Sequence, residues 1–280
     1  YKLNINTNNN FELFIKNNLF MFIPIIYLES FQYYQKKIKK IVFEGDYIIT
    51  SGTYISNDFF KIWCGSQVEN KKKLLVSDHG GGLPLKYHFF EHDEKIADKK
   101  IVWHKPLNFK QIQLAPNKVM KVNLYNNKSK NILIVAYEYF PFVQRAQNGP
   151  WCSQALEDFN QKVEFIKLLE KPLFDFLKVR TFPNQAFEKS NWNPLTRYKD
   201  LFGINKIDTN KNYLTSLENT KISIITYPET VLSESIASNV PTIALIKEEY
   251  WEVESEFVDF YKELKKIIFY FQIQKMLQIT

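Results

Sequence analysis

The sequence predicts an α/β protein made of two consecutive parallel β-sheets with a cleft between them. Short runs of aliphatic and β-branched residues alternate with amphipathic segments, which is the pattern of strand–helix–strand units. The alternation stops at a polar stretch, Asn126 to Asn131, and then starts again. The stretch from Lys221 to Ile246 contains one complete unit of strand, turn, helix and strand.

The composition is that of a folded protein with no nucleic-acid partner. The 280 residues are 45% hydrophobic and 16% aromatic, enough to bury a core in one large or two medium domains. The net charge of +7 comes from 34 lysines and 3 arginines spread along the chain, whereas nucleic-acid readers concentrate arginine in a patch.

The cysteines and the apolar runs indicate in which cellular compartment the protein is expected to fold. Cys64 and Cys152 have neither metal-ligand nor disulfide spacing, which favours a reducing, cytoplasmic environment. The most apolar early run, Leu19 to Leu28, is too short to span a bilayer and lacks the features of a signal peptide. The chain begins with Tyr1, which suggests a fragment.

The elements of the predicted first domain, residues 1–125, follow from periodicity. Residues 1–20 give no firm prediction, and 83–124 give only short segments. Between them we expect a helix at 25–41, a strand at 46–51, a helix at 58–68 and a strand at 74–76.

The predicted second domain, residues 126–280, repeats the alternation. We expect a strand at 132–137, a helix at 152–169, a strand at 174–179, the unit at 221–246 and a long helix at 249–269. Within the unit, Asn239 should end the helix in a left-handed conformation, and Pro241 prevents its continuation. Since ligands of open α/β sheets bind at the carboxyl ends of strands, the turn at 227–230 is the first candidate binding site.

The sharpest local signal is His79 followed by Gly80, Gly81 and Gly82. Three glycines after a strand let the backbone approach a ligand and leave amides for an anion. The imidazole could act as a general base or donate a hydrogen bond to phosphate. The alternative is a tight turn with a surface histidine. The run is also like an esterase oxyanion loop, but no G-x-S-x-G nucleophile elbow is present.

Three further residues are candidates for holding a phosphorylated ligand. Arg180 ends a predicted strand and could bind a diphosphate bidentately, the alternative being an interdomain or surface ion pair. Thr230 is positioned to cap the next helix, whose N-terminus attracts anions. Glu234 lies one turn further on and could bind ribose hydroxyls, unless it is a solvated helix residue.

Weaker candidates are Glu91, Asp98 and Arg145. The charged run around Glu91 has no glutamate at the position that the zincin motif requires. We therefore predict a hydrated surface and no metal site. Neither a Walker loop nor G-x-G-x-x-G occurs, so a nucleotide would be held without those devices.

Six blocks of the sequence, taken together, resemble a group of bacterial surface-carbohydrate transferases. The blocks are IPIIYLESF (23–31), DYIITSGTYISNDFFKIW (46–63), HGGG (79–82), EHDEKIADKKIVW (91–103), KVRTFP (178–183) and TYPETVLSESIASNVPTIALI (226–246). These proteins are similar to GT-B glycosyltransferases and, more remotely, to the glycerophosphotransferases and Kdo transferases of capsule and cell-wall assembly.

The resemblance implies two Rossmann-like domains facing a cleft, with a nucleotide-sugar donor held mainly by the C-terminal domain. Arg180, Thr230 and Glu234 would hold its phosphates and nucleoside, with the glycines beside them, and His79 would face the reacting centre. The donor is a co-substrate, so no cofactor is expected. The acceptor would be a polysaccharide or a lipid-linked sugar, which is compatible with peripheral contact at the inner face of the membrane.

The chain also departs from the family pattern. Asp78 precedes the glycine run where relatives usually have Gln, and Leu83–Pro84 follow it where they have Tyr-Gly. The relatives are longer, which makes the N-terminal domain look incomplete. Two alternatives therefore stay open: a glycerophosphate or other polyol-phosphate transferase on the same fold, and a truncated, inactive nucleotide-binding module.

Overall fold

The protein folds into two compact units, each built on its own parallel sheet. The computed structural model describes residues 4–80, 88–114, 123–137, 139, 148–182, 192–267 and 269–271. One unit comprises Tyr1–Asp78 and His92–Ala115, and the other comprises His79–Glu91 and Pro116–Thr280.

The first unit contains a four-stranded sheet in the order β1-β2-β3-β4, with every pair parallel. Its strands are β1 (Tyr47–Thr50), β2 (Lys73–Ser77), β3 (Lys99–Val102) and β4 (Gln111–Gln113). The helices up to this point of the chain are α1 (Asn10–Asn18), α2 (Ile25–Leu28), α3 (Phe31–Ile38), α4 (Thr53–Ser56), α5 (Asp58–Glu69) and α6 (His88–Ile96). A small core forms where Ile48, Leu74 and Val76 pack against Tyr54 and Cys64.

The second unit contains a five-stranded parallel sheet in the order β6-β5-β7-β8-β9. Its strands are β5 (Asn131–Val135), β6 (Leu177–Arg180), β7 (Thr220–Ile225), β8 (Thr242–Leu245) and β9 (Phe269–Phe271). Its helices are α7 (Ser153–Lys167), α8 (Lys171–Asp175), α9 (Pro194–Phe202), α10 (Tyr213–Glu218), α11 (Thr230–Ala237) and α12 (Val258–Ile267). Short 3-10 helices lie at Leu19–Met21, Ile204–Lys206, Glu248–Tyr250 and Ser255–Phe257.

These two sheets confirm the predicted α/β fold with two Rossmann-like domains. The central strand β5 is buried at four of its five positions, because a parallel strand covered by helices is apolar on both faces. The helix at 153–167 and the unit at 220–245 also agree with prediction, and Asn239 has the expected left-handed backbone, with φ of 60°.

Two elements differ from their predicted bounds. In each, a residue that favours the start of a helix changes the structure that the apolar periodicity predicts. The helix expected at 25–41 is interrupted between α2 and α3, where Ser30 takes the N-cap position of α3. The strand expected at 174–179 begins only at Leu177. Before it, Pro172 lies in the first turn of α8, a position where proline is favoured.

The chain ends and the middle of the first unit also hold elements that periodicity missed. The helix expected at 249–269 is divided into two 3-10 turns, α12 and the strand β9. The loose stretch at 83–124 contributes α6, β3 and β4. No helix in the described ranges combines the length and apolarity needed to cross a bilayer.

Candidate functional site

The strand order of the second unit creates a topological switch point between β5 and β7. Numbered within this sheet, the order is 2-1-3-4-5, in which the connections from the first and third strands lead to opposite neighbours. In such sheets the ligand binds outside the carboxyl ends of the strands at this point. Here β5 ends at Val135 and β7 ends at Ile225, and Thr226 Oγ1 donates a hydrogen bond of 2.8 Å to the Val135 carbonyl.

Buried aromatic rings close the sheet below this switch point. Tyr137 makes edge-on contacts with Tyr139, Tyr227 and Trp251, with ring centroids 5.2–5.4 Å apart. Gly149 has φ of 119°, and a Cβ built on it would lie 2.7 Å from the Tyr137 hydroxyl, so only glycine fits there. Because all four rings are buried, they belong to the core beside the ends of β5 and β7 and offer no exposed face on which a ligand could stack.

Two predicted residues from distant blocks of the sequence meet in this unit. Gly80 has φ of 74°, and a Cβ built on it would lie 3.2 Å from Thr230 Oγ1 at the start of α11. The Gly80 backbone therefore lies against the helix N-terminus that follows β7. First-turn amides of a helix have no intrahelical acceptor and carry the positive end of the dipole, so this junction can hold an anion.

The capping role predicted for Thr230 was wrong in detail. The N-cap residue of α11 is Glu229, which has an extended backbone and makes no side-chain capping hydrogen bond, and Thr230 is the first helical residue. The reason is that Pro228 and Glu229 extend the turn by one residue. Thr230 remains at the helix N-terminus, in the first turn.

His79 lies exposed beside Gly80, while its predecessor Asp78 is fixed in the first unit. The Asp78 amide donates a hydrogen bond of 2.9 Å to the Ile101 carbonyl, and its buried carboxylate lies 3.5 Å from Lys100 Nζ. Asp78 therefore has a buried cationic partner. Gly81 and Gly82 lie outside the described residues.

Arg180 forms a buried ion pair within the second unit. Its Nη1 donates to Asp208 Oδ2 at 2.8 Å, to the Asn210 carbonyl at 2.7 Å and to Ser216 Oγ at 3.1 Å. Nη2 donates to the Lys211 carbonyl at 3.4 Å. The guanidinium thus ties the segment 208–211 to the carboxyl end of β6. The pair is buried within one unit and is therefore neither the interdomain nor the surface ion pair given as the alternative.

Glu234 is buried and lies in an environment shared with Arg180. The exposed fraction of Glu234 is 6%, which excludes the solvated-surface alternative. Tyr213 connects Arg180 to α11, the helix that carries Glu234, because its ring lies 5.7 Å from the Arg180 guanidinium and its hydroxyl is 2.6 Å from Ser235 Oγ. Burial raises the pKa of the Tyr213 hydroxyl to about 12, so it stays protonated.

Sequence reasoning missed Asp208, Ser216 and Tyr213. The run Asp208-Thr-Asn-Lys-Asn has the residues of an Asx turn, and Asp208 Oδ1 accepts from the Asn210 amide at 3.3 Å, so a turn was detectable. Its pairing with Arg180 was not, because 28 residues separate them.

Of the three weaker candidates for the site, the structure describes the side chain of Asp98 alone. Asp98 accepts hydrogen bonds from Lys73 Nζ at 2.9 Å and from the Leu74 amide at 3.0 Å, which lowers its pKa and ties it to the start of β2. The Glu91 backbone belongs to α6, while its side chain and Arg145 lie outside the described residues. Among the residues that the structure describes, no group of three or more histidines, cysteines and carboxylates could hold a metal ion.

A separate cavity of about 150 Å³ lies beside β5 and β6. Its lining is mainly polar and includes Asn131, Lys178, Asn210 and Asn219. Neither Gly80 nor Thr230 lines this cavity, so it is distinct from the switch point.

Comparison with known proteins gives one family. The model of a family described as "LIC12162 family transferase" matches residues 1–274. Among curated proteins no match was found. The crystal structure of Acinetobacter baumannii MurG is 11% identical, with a TM-score of 0.40, over 86% of this chain and 62% of the MurG chain. The chain therefore spans less than two thirds of that protein.

Proposed function

The chain belongs to the LIC12162 transferase family, and on that premise we propose that it is a glycosyltransferase of the GT-B type. It moves a sugar, or a sugar-like unit, from a nucleotide-activated donor to a bacterial surface polysaccharide or glycolipid. The observation that carries this proposal is the contact of Gly80 with Thr230 at the switch point of the five-stranded sheet. That arrangement suits a diphosphate, because glycine admits a close approach and a helix N-terminus faces it.

In the proposed reaction, an acceptor hydroxyl attacks the anomeric carbon of the donor sugar. The new bond joins the acceptor oxygen to that carbon, the bond to the phosphate oxygen breaks, and the nucleotide leaves with the bonding electron pair. His79 either takes the acceptor proton as a general base or donates a hydrogen bond to the leaving phosphate, in which case the acceptor proton passes to the leaving phosphate or to water. The leaving charge is met by the first-turn amides of α11 and by the backbone at Gly80, without a bound metal ion.

Both roles of His79 place its imidazole at the reacting centre, either on the acceptor hydroxyl or on the leaving phosphate. In either case His79→Ala should lower kcat much more than it weakens donor binding.

Arg180 supports donor binding from the interior. It holds the segment 208–211, and Tyr213, which follows that segment, contacts α11, so Arg180 and Tyr213 position the helix whose N-terminus faces the donor. Glu234 would accept hydrogen bonds from ribose hydroxyls through the small part of its side chain that is exposed.

The test is a panel of nucleotides followed by turnover. UDP-sugars, CMP-sugars and CDP-glycerol are compared by thermal shift, and donor hydrolysis or transfer is then measured for the wild type and for His79→Ala and Arg180→Ala. Unchanged rates in both variants contradict the site. Binding and turnover of CDP-glycerol alone would favour a glycerophosphate transferase, while nucleotide binding without turnover would identify a binding module.

A further inference from the structure

The cavity of about 150 Å³ lies between one face of the five-stranded sheet and the segment 207–220 of the same unit. Its lining on the sheet consists of Asn131 and Leu133 of β5 and Lys178 of β6. Leu133 and Lys178 are partners in the parallel register, so their side chains lie on the same face of the sheet. The other wall comes from residues 207–210 and from 216, 219 and 220. The cavity is therefore built within the second unit.

The sheet is irregular beside this cavity. Asn131 pairs with Thr220 and Ile132 pairs with Ile222, so Lys221 is an extra residue in β7. Bulges of this kind are rare in parallel sheets, and they are over-represented beside functional sites, where they redirect a side chain. Asn131 and Thr220, the pair that precedes the shift in register, both line the cavity.

Neutral polar side chains dominate the lining. The six lining residues that carry a carboxamide or a hydroxyl group are Asn131, Thr209, Asn210, Ser216, Asn219 and Thr220. Each of these groups can both donate and accept a hydrogen bond. Within the described part of the chain, the side chains of Asn131 and Thr209 hydrogen-bond to no other residue, whereas Asn210 and Asn219 donate to neighbours in their own turns. Asn131 and Thr209 are therefore available to a ligand.

The charges at the cavity cancel and already have partners. Lys178 Nζ donates a hydrogen bond of 2.6 Å to the Asn205 carbonyl, and Asp208 Oδ2 lies 2.8 Å from Arg180 Nη1. An anion would be repelled by the Asp208 carboxylate, and a cation would find that carboxylate already neutralised by Arg180. The lining therefore favours a neutral ligand.

The volume of the cavity limits the size of that ligand. A cavity of about 150 Å³ holds a molecule the size of benzene, which excludes a nucleoside. Leu133 and Ile207 are the apolar part of the lining, so an aliphatic or aromatic ligand would leave most of the polar groups around it unpaired. The ligand that fits is a small molecule with several hydroxyl groups.

We propose that this cavity binds a small neutral polyol of the size of glycerol. The Asn131 carboxamide and the Thr209 hydroxyl form hydrogen bonds with its hydroxyl groups. Because so small a ligand has few contacts and competes with water, the dissociation constant is on the order of 1 mM. The inference goes beyond the proposed transfer reaction and does not depend on it, since neither Gly80 nor Thr230 lines the cavity.

The test is an NMR titration of the isotope-labelled full chain with glycerol, butanol and inorganic phosphate in separate experiments. Butanol is of similar size but carries a single hydroxyl group, and phosphate is an anion. Glycerol should produce saturable shifts in the amide signals of residues 207–210 and 219–220, and the other two probes should not. The absence of saturable shifts with glycerol, or equal shifts with butanol or phosphate, would overturn the proposal.

Two variants locate the binding groups. Asn131→Leu and Thr209→Val should each weaken glycerol binding about fivefold, because each removes a hydrogen-bonding partner of the ligand. The matched controls are Asn17→Leu and Thr215→Val, which change exposed residues outside the lining and should leave binding unchanged. Thr209→Val is nearly isosteric and lies at an exposed position, so it keeps the test valid if circular dichroism shows that Asn131→Leu is unfolded.

Equal loss of glycerol binding in the variants and their controls would contradict the proposal. Displacement of glycerol by a nucleotide-activated sugar would assign the cavity to the donor and would also overturn it. Donor binding at the junction of Gly80 with Thr230 is measured separately, so a failure here leaves the transferase proposal standing.

Discussion

Arg180→Met should destabilise the second unit strongly, because it removes one partner of a buried ion pair. The side chains of Arg180 and Asp208 are 8% and 7% exposed, and their atoms Nη1 and Oδ2 are 2.8 Å apart. Truncating one partner of such a pair leaves an uncompensated charge and costs about 3–5 kcal/mol. The variant also leaves the carbonyls of Asn210 and Lys211 without the guanidinium that donates to them.

The assay is urea unfolding followed by tryptophan fluorescence and circular dichroism. Arg197→Met is the matched control. The Arg197 guanidinium lies 3.5 Å from the centre of the Trp192 ring in an exposed position, and its loss should cost about 0.5–1 kcal/mol. The double variant Arg180→Met/Asp208→Asn should recover part of the loss, because no unpaired carboxylate remains. A loss below about 1 kcal/mol for Arg180→Met would refute the structural role of the pair.

Three further predictions concern other parts of the chain. Gly80→Ala should cost about 1 kcal/mol and weaken donor binding, because φ of 74° disfavours alanine and the new Cβ would press on Thr230. Gly65→Ala is its control in denaturant unfolding: this glycine lies inside α5 with nothing within 4 Å of a built Cβ, so alanine should stabilise by about 0.5–1 kcal/mol. Burial raises the pKa of the Asp93 carboxyl from 3.8 to about 6, so the folded chain holds this proton more tightly than the unfolded chain. As pH rises from about 4 to about 6, the free energy of unfolding of the wild type should therefore fall by up to about 3 kcal/mol relative to that of Asp93→Asn. Urea unfolding of both proteins across this pH range measures the difference. A difference that does not change with pH would contradict the prediction.

Much of the fold was predictable because parallel strands and amphipathic helices have a strong periodic signal. Strands β1, β5, β7 and β8 were placed to within two residues, since each is a short run rich in β-branched residues. The end of α11 followed from Asn239 and Pro241, whose backbone preferences are local. What depends on neighbouring residues in the chain is readable from the sequence.

The missed features depend on partners that are distant in sequence. Helix α1 was missed because its formation rests on a capping box among Asn-rich residues instead of on a buried face. The strand β9 was not predicted, and the expected helix ran on to its first residue, Phe269. The strand pairs in register with β8, and such pairing overrides local preference at a sheet edge.

The sequence predicted which segments form the candidate site, but it did not predict which side chains contact one another there. The glycine run and the turn after β7 were both proposed as ligand sites, and Gly80 does lie against Thr230. The buried environment of Arg180 was not foreseen, because Asp208, Ser216 and Tyr213 carry no motif. Whether an arginine contacts a ligand or a buried carboxylate depends on which residues the fold brings next to it. The spacing of residues along the sequence does not reveal these neighbours.

Hydrogen exchange with and without a bound donor tests whether the junction of Gly80 with Thr230 binds the donor. A nucleotide-activated sugar should slow exchange of the backbone amides at 226–232 and at Gly80, which lies against the N-terminus of α11. Gly80→Val should abolish this protection, and Gly65→Val should leave it intact. Protection confined to the cavity lined by Asn131, Lys178 and Asn219, with none at 226–232, would contradict donor binding at this junction.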